Sequence, residues 1–511
     1  MVKAVDVLQF GARPNIPGFD SSLAFARAQS VSKKLIVPPG IYNLGSAFVP
    51  TSGLVINGEG DETILTFDTS HPIISFGSSG AVKDVELKNF KIQSDLSAGS
   101  STAGLINGDG PSIDGLNIEG VTINVPAVGR NAIFLKSRPG AEVQNVTIKN
   151  INIISVGRMG IEIIQHDDQE NQHGGNIEIA GGRIANCGGV SFGMAISISG
   201  GLKDISIHDI RLQDSDYGIE LVGAADAVNI YGVSFDGAFS YLIGNTGSLD
   251  CKNVVIQDNI STPGTTGTLD LRRCPNAIVT GNSLNCTTVS LNAPNIRFLN
   301  NYIRASASTV ITIDNSSYNV VEYNILDNTP APANSSVVTL FGANATKNFV
   351  RNNILRRSSG GTNITQQSGA SANILGPNYE QTSTDLLQIG QQNILAYTPG
   401  VGTSYTATIT LPSTASWTPY LFRITVAGCS TTGTNDCFIV QELAVRDVSS
   451  ADPVIIRNQT VDSLNMSLNV TASGSSVNVV AVPGSGSPRL QWCIEQLGPY
   501  LNSQLPVVFS S

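Results

Sequence analysis

Four carboxylates stand out in a chain that carries few charges. Charged residues make up 13% of its 511 residues, against roughly 25% in ordinary soluble domains. Glu162 and Glu220 lie in short apolar stretches, and Asp214 and Asp216 come just before the second stretch. Two carboxyl groups roughly 5 to 9.5 Å apart can cleave a glycosidic bond, one donating a proton and the other activating water or attacking the sugar. We therefore predict Glu162, Asp216 and Glu220 as catalytic residues, with Asp214 as a fourth; the alternative is that all four are solvated surface carboxylates.

Two arginines and two tyrosines near these carboxylates could contact a substrate. Arg130 and Arg158 precede successive apolar stretches, where they could hold an acidic sugar or stabilise an abstracted uronate in a lyase. Pairing with nearby acids is the alternative. Tyr217 and Tyr241 could stack on sugar rings or pack inside the protein.

The most polar stretch of the chain follows Ile163 directly. It runs from 164 to 175 and contains His166, Asp168 and His173, which we predict as substrate-binding residues in one wall of a groove. Two histidines and neighbouring acids could also bind a cation. Their spacing matches no metal motif, however, and a solvated loop is the simpler alternative. We predict no metal and no cofactor.

A repeat runs through most of the chain and must position these residues. Its unit has the form apolar-x-apolar-x-(Asn/Gly/Asp)-apolar-x-apolar. The turn residue recurs at 89, 120, 150, 181, 209 and 232 and, in a shorter form, at Asn259, Asn282, Asn301, Asn324 and Asn353. Alternation with period two, interrupted by a turn residue, predicts two short strands that meet at a bend with left-handed backbone geometry. A period of about 20 to 30 residues predicts the coils of a solenoid.

A third short strand in each coil carries the carboxylates. Its copies lie at 132–135, 160–163, 195–198, 218–221, 268–271, 310–313 and 337–340. Ile and Leu occupy the positions expected to point inward. When the copies are stacked in register, Glu162, Ser197 and Glu220 form one outward column, with the two glutamates two coils and about 9.6 Å apart.

The beginning of the chain is similar to a known superfamily. Residues 7–12 (VLQFGA), a helical stretch near 20–33, residues 35–42 (LIVPPGIY) and residues 55–60 (VINGEG) follow one another. This order resembles the opening segment of the pectate-lyase-like parallel β-helix superfamily, which includes polygalacturonases, polysaccharide lyases and phage tailspikes. The resemblance covers about residues 5–380. The "DGxxDDT" turn usual in the superfamily is replaced here by residues 13–20, so no single enzyme family is indicated.

The resemblance and the repeat together imply an all-β architecture. We predict a right-handed parallel β-helix with an N-terminal helical cap and a C-terminal antiparallel β-sandwich. The predicted domains are 1–65, the cap and the start of the helix; 66–384, the β-helix with a glycan groove; and 385–511, the sandwich. The last domain is expected because longer alternating strands replace the Asn-marked coils there. It resembles the C-terminal domains of phage tailspikes, which implies a role in trimerisation or glycan binding.

The resemblance also implies a biological setting. A phage tailspike would be a homotrimer in the virion, attached to a phage tail or baseplate protein, that binds and hydrolyses capsule or O-antigen polysaccharide at the bacterial surface. The net charge of −10 argues against nucleic acid, which needs a basic face. No apolar run approaches the roughly 20 residues of a membrane span, so no membrane insertion is expected. A lyase acting on a uronate-containing glycan, a non-enzymatic adhesin and a sugar epimerase are the alternatives.

Overall fold

The computed structural model describes residues 3–381, with gaps at 68–70, 78–79, 95–103, 127–129, 167–173, 189–191, 308, 334, 359–360 and 368. Beyond residue 381 it describes the backbone of the strands named below. The chain forms two compact units, Met1–Ile374 and Leu375–Ser511. In the part of the chain that is described, no helix is long and apolar enough to cross a membrane.

The first unit is a right-handed parallel β-helix, as predicted. One of its faces is a sheet of twelve parallel strands, here called the site sheet. Its strands are β1 (Ile74–Ser75), β2 (Ile106–Gly110), β3 (Ile133–Ser137), β4 (Ile161–Ile164), β5 (Met194–Ser199), β6 (Tyr217–Val222), β7 (Ala238–Asn245), β8 (Thr266–Asp270), β9 (Thr288–Ser290), β10 (Thr309–Asp314), β11 (Ser336–Phe341) and β12 (Thr362–Gln366).

The remaining strands of the first unit form a longer parallel sheet, here called the long sheet. Branched aliphatic side chains stack inward along it, as in the register Ile148–Ile179–Ile207–Ile230, and all four are buried. Such residues favour strands because they pack well on a pleated surface. The strands are Val5–Asp6, Lys34–Ile36, Gly40–Asn43, Val55–Asn57, Thr63–Thr66, Ala81–Lys88, Lys91–Gln93, Ser112–Glu119, Thr122–Val125, Val143–Val156, Gly175–Ala185, Lys203–His208, Arg211–Gln213, Asp226–Tyr231, Ser234–Asp236, Val255–Gln257, Ile260–Ser261, Ile278–Thr280, Ser283–Cys286, Arg297–Leu299, Tyr302–Ala305, Val320–Glu322, Ile325–Asp327, Phe349–Arg351 and Ile354–Arg356.

The bends of the longer coils have the predicted left-handed geometry. Asn89, Asn150 and Asp209 have φ of 57°, 52° and 52°, and Gly120 and Gly181 have φ of 63° and 70°. Asparagine, aspartate and glycine tolerate this region better than other residues. The turn residues at these positions therefore act as the repeat pattern predicts.

In the shorter coils the prediction that the marker asparagine itself has left-handed geometry is wrong. The left-handed residue there is the one before each marker asparagine, namely Asp258, Gly281, Asn300, Tyr323 and Asn352. The marker asparagines are instead buried and hydrogen-bonded in a stack. We call this stack the asparagine ladder; its members are Asn259, Asn282, Asn301, Asn324 and Asn353.

Each ladder asparagine links its own coil to the neighbouring coils. The side-chain amide of Asn282 donates to Oδ1 of Asn301 at 2.8 Å, and the Asn301 amide donates in turn to Oδ1 of Asn324 at 3.0 Å. Asn301 also donates to the Val279 carbonyl at 3.0 Å. An amide is both donor and acceptor, so an asparagine stack can satisfy the polar groups that a buried bend would leave unpaired.

Near the N-terminus, the predicted helix is present as α1 (Ser22–Val31). Ala24, Phe25 and Ala28 are buried, whereas Leu23 is exposed. The Phe25 ring packs edge-on against the Tyr42 ring at 5.9 Å between centroids. Two short 3₁₀ helices lie at Val7–Phe10 and Gly60–Glu62. The role of this region as a cap stays a prediction.

The second unit contains antiparallel strands. A hairpin pairs Asn378–Gln381 with Leu386–Ile389. A five-stranded sheet consists of Leu395–Tyr397, Tyr420–Cys429, Asp436–Val445, Val454–Asp462 and Arg489–Gly498, and a four-stranded sheet of Tyr405–Thr410, Ser467–Ser473, Ser476–Val482 and Val507–Ser510. The face-to-face packing that would make them a sandwich stays a prediction, as do the predicted domain boundaries.

Candidate functional site

The outward face of the site sheet carries a column of carboxylates. Glu162 in β4 pairs with Ser197 in β5, and Ser197 pairs with Glu220 in β6, which confirms the predicted register. The same column continues through Gly244 to Asp270 in β8. We call these five residues the carboxylate column. Its acids stand on every second coil, about 9.6 Å apart at the backbone, with a small residue between each pair.

Glu162 lies between two inward-facing residues of β4. Ile161 and Ile163 are fully buried, so the alternation of the strand turns Glu162 to the outer face, where it is still only 7% exposed. The side-chain amide of Asn131 donates to its Oε2 at 2.5 Å, and Arg158 Nη1 lies 3.8 Å from the same oxygen.

This environment changes the proton affinity of Glu162. Burial raises the pKa of Glu162 above its ordinary value, because a low-dielectric site disfavours the charged form. The nearby Glu220 carboxylate raises the pKa further, while Arg158, Asn131 and Lys136 act in the opposite direction and only partly offset burial. A carboxyl group with a raised pKa is suited to donate a proton.

Glu220 has a different set of partners. It is 4% exposed. Ser197 Oγ donates to its Oε2 at 2.7 Å, and Thr246 Oγ1 donates to its Oε1 at 2.5 Å. Each carboxylate oxygen thus accepts one hydroxyl bond, which fixes the orientation of the group, and no ion pair of Glu220 is recorded among the described residues. The two glutamates of the column therefore differ in environment although they share a register.

Asp270 is the member of the column that the sequence analysis did not single out. It is 2% exposed and lies next to Arg272, whose Nε donates to Oδ2 at 2.7 Å and whose backbone N–H donates to Oδ1 at 3.1 Å. The bond to Asp270 raises the pKa of the Arg272 guanidinium. Its outward position in the third-strand copy at 268–271 could have identified it from the sequence. A single Asp in that copy did not suggest a catalytic pair, however.

Tyr217 and Tyr241 stack on each other beside Glu220. Their ring centroids are 4.6 Å apart and their planes differ by 13°. Burial raises the pKa of Tyr217 to about 12, helped by the neighbouring Tyr241 and Glu220. Tyr217 is nearly buried, so it fits the alternative of packing inside the protein. Tyr241 is half-buried and is the ring that a sugar could reach more easily.

Asp214 and Asp216 bond to the backbone of neighbouring coils. Asp216 Oδ2 accepts the Gly193 N–H at 2.8 Å, and Asp216 is half-buried. Asp214, with φ of 43°, is exposed and accepts the Ala238 N–H at 3.2 Å and the Gln213 side-chain amide at 3.1 Å. The contacts of Asp216 and Asp214 with other coils are thus to backbone N–H groups at the beginnings of β5 and β7, whereas Glu220 acts on the pKa of Glu162.

The two predicted arginines stack from coil to coil but differ in exposure. The Arg158 N–H donates to the Arg130 carbonyl at 3.1 Å. The Arg158 side chain reaches Glu162, whereas Arg130 is 1% exposed, donates through Nη1 to the His71 carbonyl at 2.6 Å and lies over the Phe67 ring at 5.7 Å. Burial also lowers the pKa of the Arg130 guanidinium. Arg130 therefore cannot touch a glycan in this conformation.

His166 follows the end of β4. Its backbone N–H donates to Ser137 Oγ at 2.8 Å, and the residue is half-buried. With Lys136 it lines a cavity of ≈ 310 Å³ at the carboxyl ends of β3 to β7. Asp168 and His173, predicted in the same groove wall, lie outside the described residues.

No family model matches this chain, and no curated protein matches it. Solved structures that resemble it include PfbA, a surface adhesin of Streptococcus pneumoniae, at 15% identity over 78% of this chain and 97% of that chain, with a TM-score of 0.42. A second is the tailspike gp49 of Acinetobacter baumannii bacteriophage Fri1, a capsular polysaccharide depolymerase, at 11% identity over 99% and 88%, with a TM-score of 0.30. A third is the A-module of the Azotobacter vinelandii mannuronan C-5 epimerase AlgE6, at 12% over 73% and 93%, with a TM-score of 0.39. At such values these likenesses assign no activity.

Proposed function

We propose that this protein is an endo-acting glycoside hydrolase that cuts a bacterial surface polysaccharide lying across the site sheet. The observation that carries the proposal is the pair Glu162 and Glu220, two buried carboxyl groups in one outward column with unlike surroundings. A carboxyl group whose pKa is raised by burial, in the same column as a second carboxylate, suits the acid and base roles of a glycosidase.

In the proposed reaction Glu162 is the proton donor. Its raised pKa keeps a fraction of the carboxyl group protonated at a higher pH than an exposed glutamate would allow. The proton passes to the glycosidic oxygen as the bond from that oxygen to the anomeric carbon breaks. Arg158, 3.8 Å from Oε2, then stabilises the carboxylate that remains on Glu162.

Glu220 is the proposed base. It takes a proton from a water molecule whose oxygen attacks the anomeric carbon from the opposite face of the sugar. The backbones of the two glutamates are about 9.6 Å apart by register, so their side chains can bring the carboxyl groups within the roughly 6.5 to 9.5 Å of inverting enzymes, which leave room for this water. Ser197, the small residue between them, keeps that space free. The product is expected to have inverted anomeric configuration.

A lyase is the second candidate because two cations face Glu162. Arg158 and Lys136 both favour its charged form, and cations of this kind could neutralise a uronate during proton abstraction. Burial raises the pKa of Tyr217 to about 12, which makes it a poor base near neutral pH, so a carboxylate or His166 is the better candidate for the base. The hydrolase is preferred because it uses both glutamates.

The wider setting of the proposal is that of a tailspike. Capsule or O-antigen as substrate, a homotrimer, attachment to a phage tail or baseplate protein and action outside the bacterium all rest on the resemblance of the opening segment at 7–60. The adhesin remains the non-enzymatic alternative. Light scattering of the whole chain tests the trimer: a mass of one chain would contradict it.

The test of activity is a screen of purified capsular and O-antigen polysaccharides. Chain length is followed by gel filtration, new double bonds by ultraviolet absorbance, and the anomer first formed by NMR. Shorter chains with no new absorbance and with inverted anomers are the expected result. Shorter chains with new absorbance would establish the lyase instead. Binding without shortening would favour the adhesin.

A further inference from the structure

The outward column of the site sheet changes character after Asp270. It continues in register through Ser290, Thr312, Thr339 and Thr365, so that hydroxyl groups replace carboxylates. An open cavity of ≈ 460 Å³ lies over these strands, a size within the usual range for small-molecule sites. We call this cavity the hydroxyl trough. The residues that line it include Thr309, Thr312, Ser336, Thr339, Phe341 and Thr365.

The lining of the trough is polar but uncharged. None of the side chains recorded along it is acidic or basic. Its hydroxyls lie within hydrogen-bond distance of one another, as in Thr309–Thr339 at 3.4 Å and Ser336–Thr365 at 2.9 Å. A hydroxyl can donate once and accept twice, so these groups can exchange partners with the hydroxyls of a sugar at little cost. A charged ligand would find no counter-ion among these lining side chains.

An aromatic ring completes the trough. Phe341 ends β11, lines the cavity and is half-buried, so part of its surface is open to the trough. The face of an aromatic ring is electronegative and attracts the weakly positive C–H groups on one face of a pyranose. Hydroxyls along the floor with an aromatic ring at the edge suit an uncharged pyranose better than an ion or a protein chain.

We propose that the hydroxyl trough is a second binding site, which holds uncharged pyranose residues of the polysaccharide cut at Glu162 and Glu220. The identity of the occupant as that polysaccharide rests on the proposed function; the binding of uncharged sugars does not. From β6 to β10 there are four coil steps, about 19 Å along the sheet, so the trough holds sugars several residues away from the cleaved bond. The trough would thus select polysaccharide chains that carry uncharged sugars about 19 Å from the cleaved bond.

Saturation-transfer NMR tests the trough without any need for cleavage. The probe is a mixture of glucose, galactose, mannose, rhamnose, N-acetylglucosamine and N-acetylgalactosamine, added to the whole protein. We expect transfer to at least one sugar, lost in Phe341→Ala and reduced in Thr339→Val. It should persist in Glu220→Gln and in Tyr318→Ala, which removes an exposed aromatic outside the trough. No transfer, or equal transfer in Phe341→Ala, overturns the proposal.

Kinetics then test whether the trough serves the cleavage site. On a polysaccharide that the wild type cuts, Phe341→Ala is expected to raise KM for long chains about tenfold, as aromatic contacts at binding sites often do. KM for fragments too short to span about 19 Å should not change. An equal change for both lengths would contradict a remote site. If sugars bind the trough and no polysaccharide is cut, the proposal of a hydrolase is wrong but the proposal of a sugar-binding trough is supported.

Discussion

The asparagine ladder and the carboxylate column are both stacks of polar side chains on one solenoid, yet they are built in opposite ways. The ladder uses one residue type on each of five successive coils, lies in the interior and bonds each amide to the next. The column lies on the outer face, and its glutamates bond to hydroxyls, an amide and an arginine instead of to each other.

The difference follows from the chemistry of the two groups. An amide donates and accepts, so identical copies about 4.8 Å apart stabilise one another. An ionised carboxylate only accepts, so identical copies at that spacing would repel. The column avoids this by placing Ser197 and Gly244 between its acids. Uniform stacking thus serves the fold, whereas alternation leaves charged groups and space that a substrate can use.

Glu220→Gln is expected to have the largest effect, because it tests whether the carboxylate column is catalytic. We expect the rate of polysaccharide cleavage to fall about 10² to 10⁴-fold, the usual contribution of a general acid or base. The amide keeps the acceptor oxygen but cannot take a proton from water. Reducing-end assays measure the rate, with Glu178→Gln on the long sheet as the matched control. Full activity of Glu220→Gln would remove it from the mechanism.

Asn301→Leu is the corresponding test of the ladder. The change removes the bonds to Asn282, Asn324 and Val279 and leaves buried partners unsatisfied, so the free energy of unfolding should drop by about 3 kcal/mol. Urea unfolding measures it, with Asn344→Leu at an exposed turn as control. Cleavage by the folded variant should be nearly normal. Unchanged stability would mean that the ladder is not structural.

Arg158→Gln is expected to have a smaller effect, on pH dependence. Arg158 opposes the rise in the pKa of Glu162, so its loss should raise that pKa further. The proton donor then stays protonated to higher pH, and the alkaline limb of kcat against pH should move upward. Arg211→Gln, which removes a cation on the long sheet, should leave the limb in place. A downward shift would contradict Glu162 as the acid.

Asp214→Asn should have the smallest effect. Asparagine tolerates the left-handed backbone at this position and can still accept the Ala238 N–H. We therefore expect cleavage within about twofold of wild type and stability within about 0.5 kcal/mol, the usual range for surface changes. A large loss of cleavage with normal stability would return Asp214 to the catalytic set predicted from the sequence.

The sequence predicted the strands and the register of Glu162, Ser197 and Glu220 because both follow from period-two alternation. Inward Ile and Leu residues fix which side chains face outward. It did not predict the role of the ladder asparagines, since the same residue type suits a left-handed bend and a buried amide stack. Nor did it predict the burial of Arg130, because the direction of a long side chain at a bend depends on tertiary neighbours such as Phe67 and His71.

The central claim is that Glu162 donates the proton that releases the cut chain. The most direct measurement is kcat of Glu162→Gln on a polysaccharide that the wild type cleaves, with the Kd for the same polysaccharide measured alongside. We expect kcat to fall at least about a hundredfold while Kd changes by less than about threefold, since the lost group acts in the transition state. Cleavage at the wild-type rate, or a loss of cleavage explained wholly by lost binding, would contradict it.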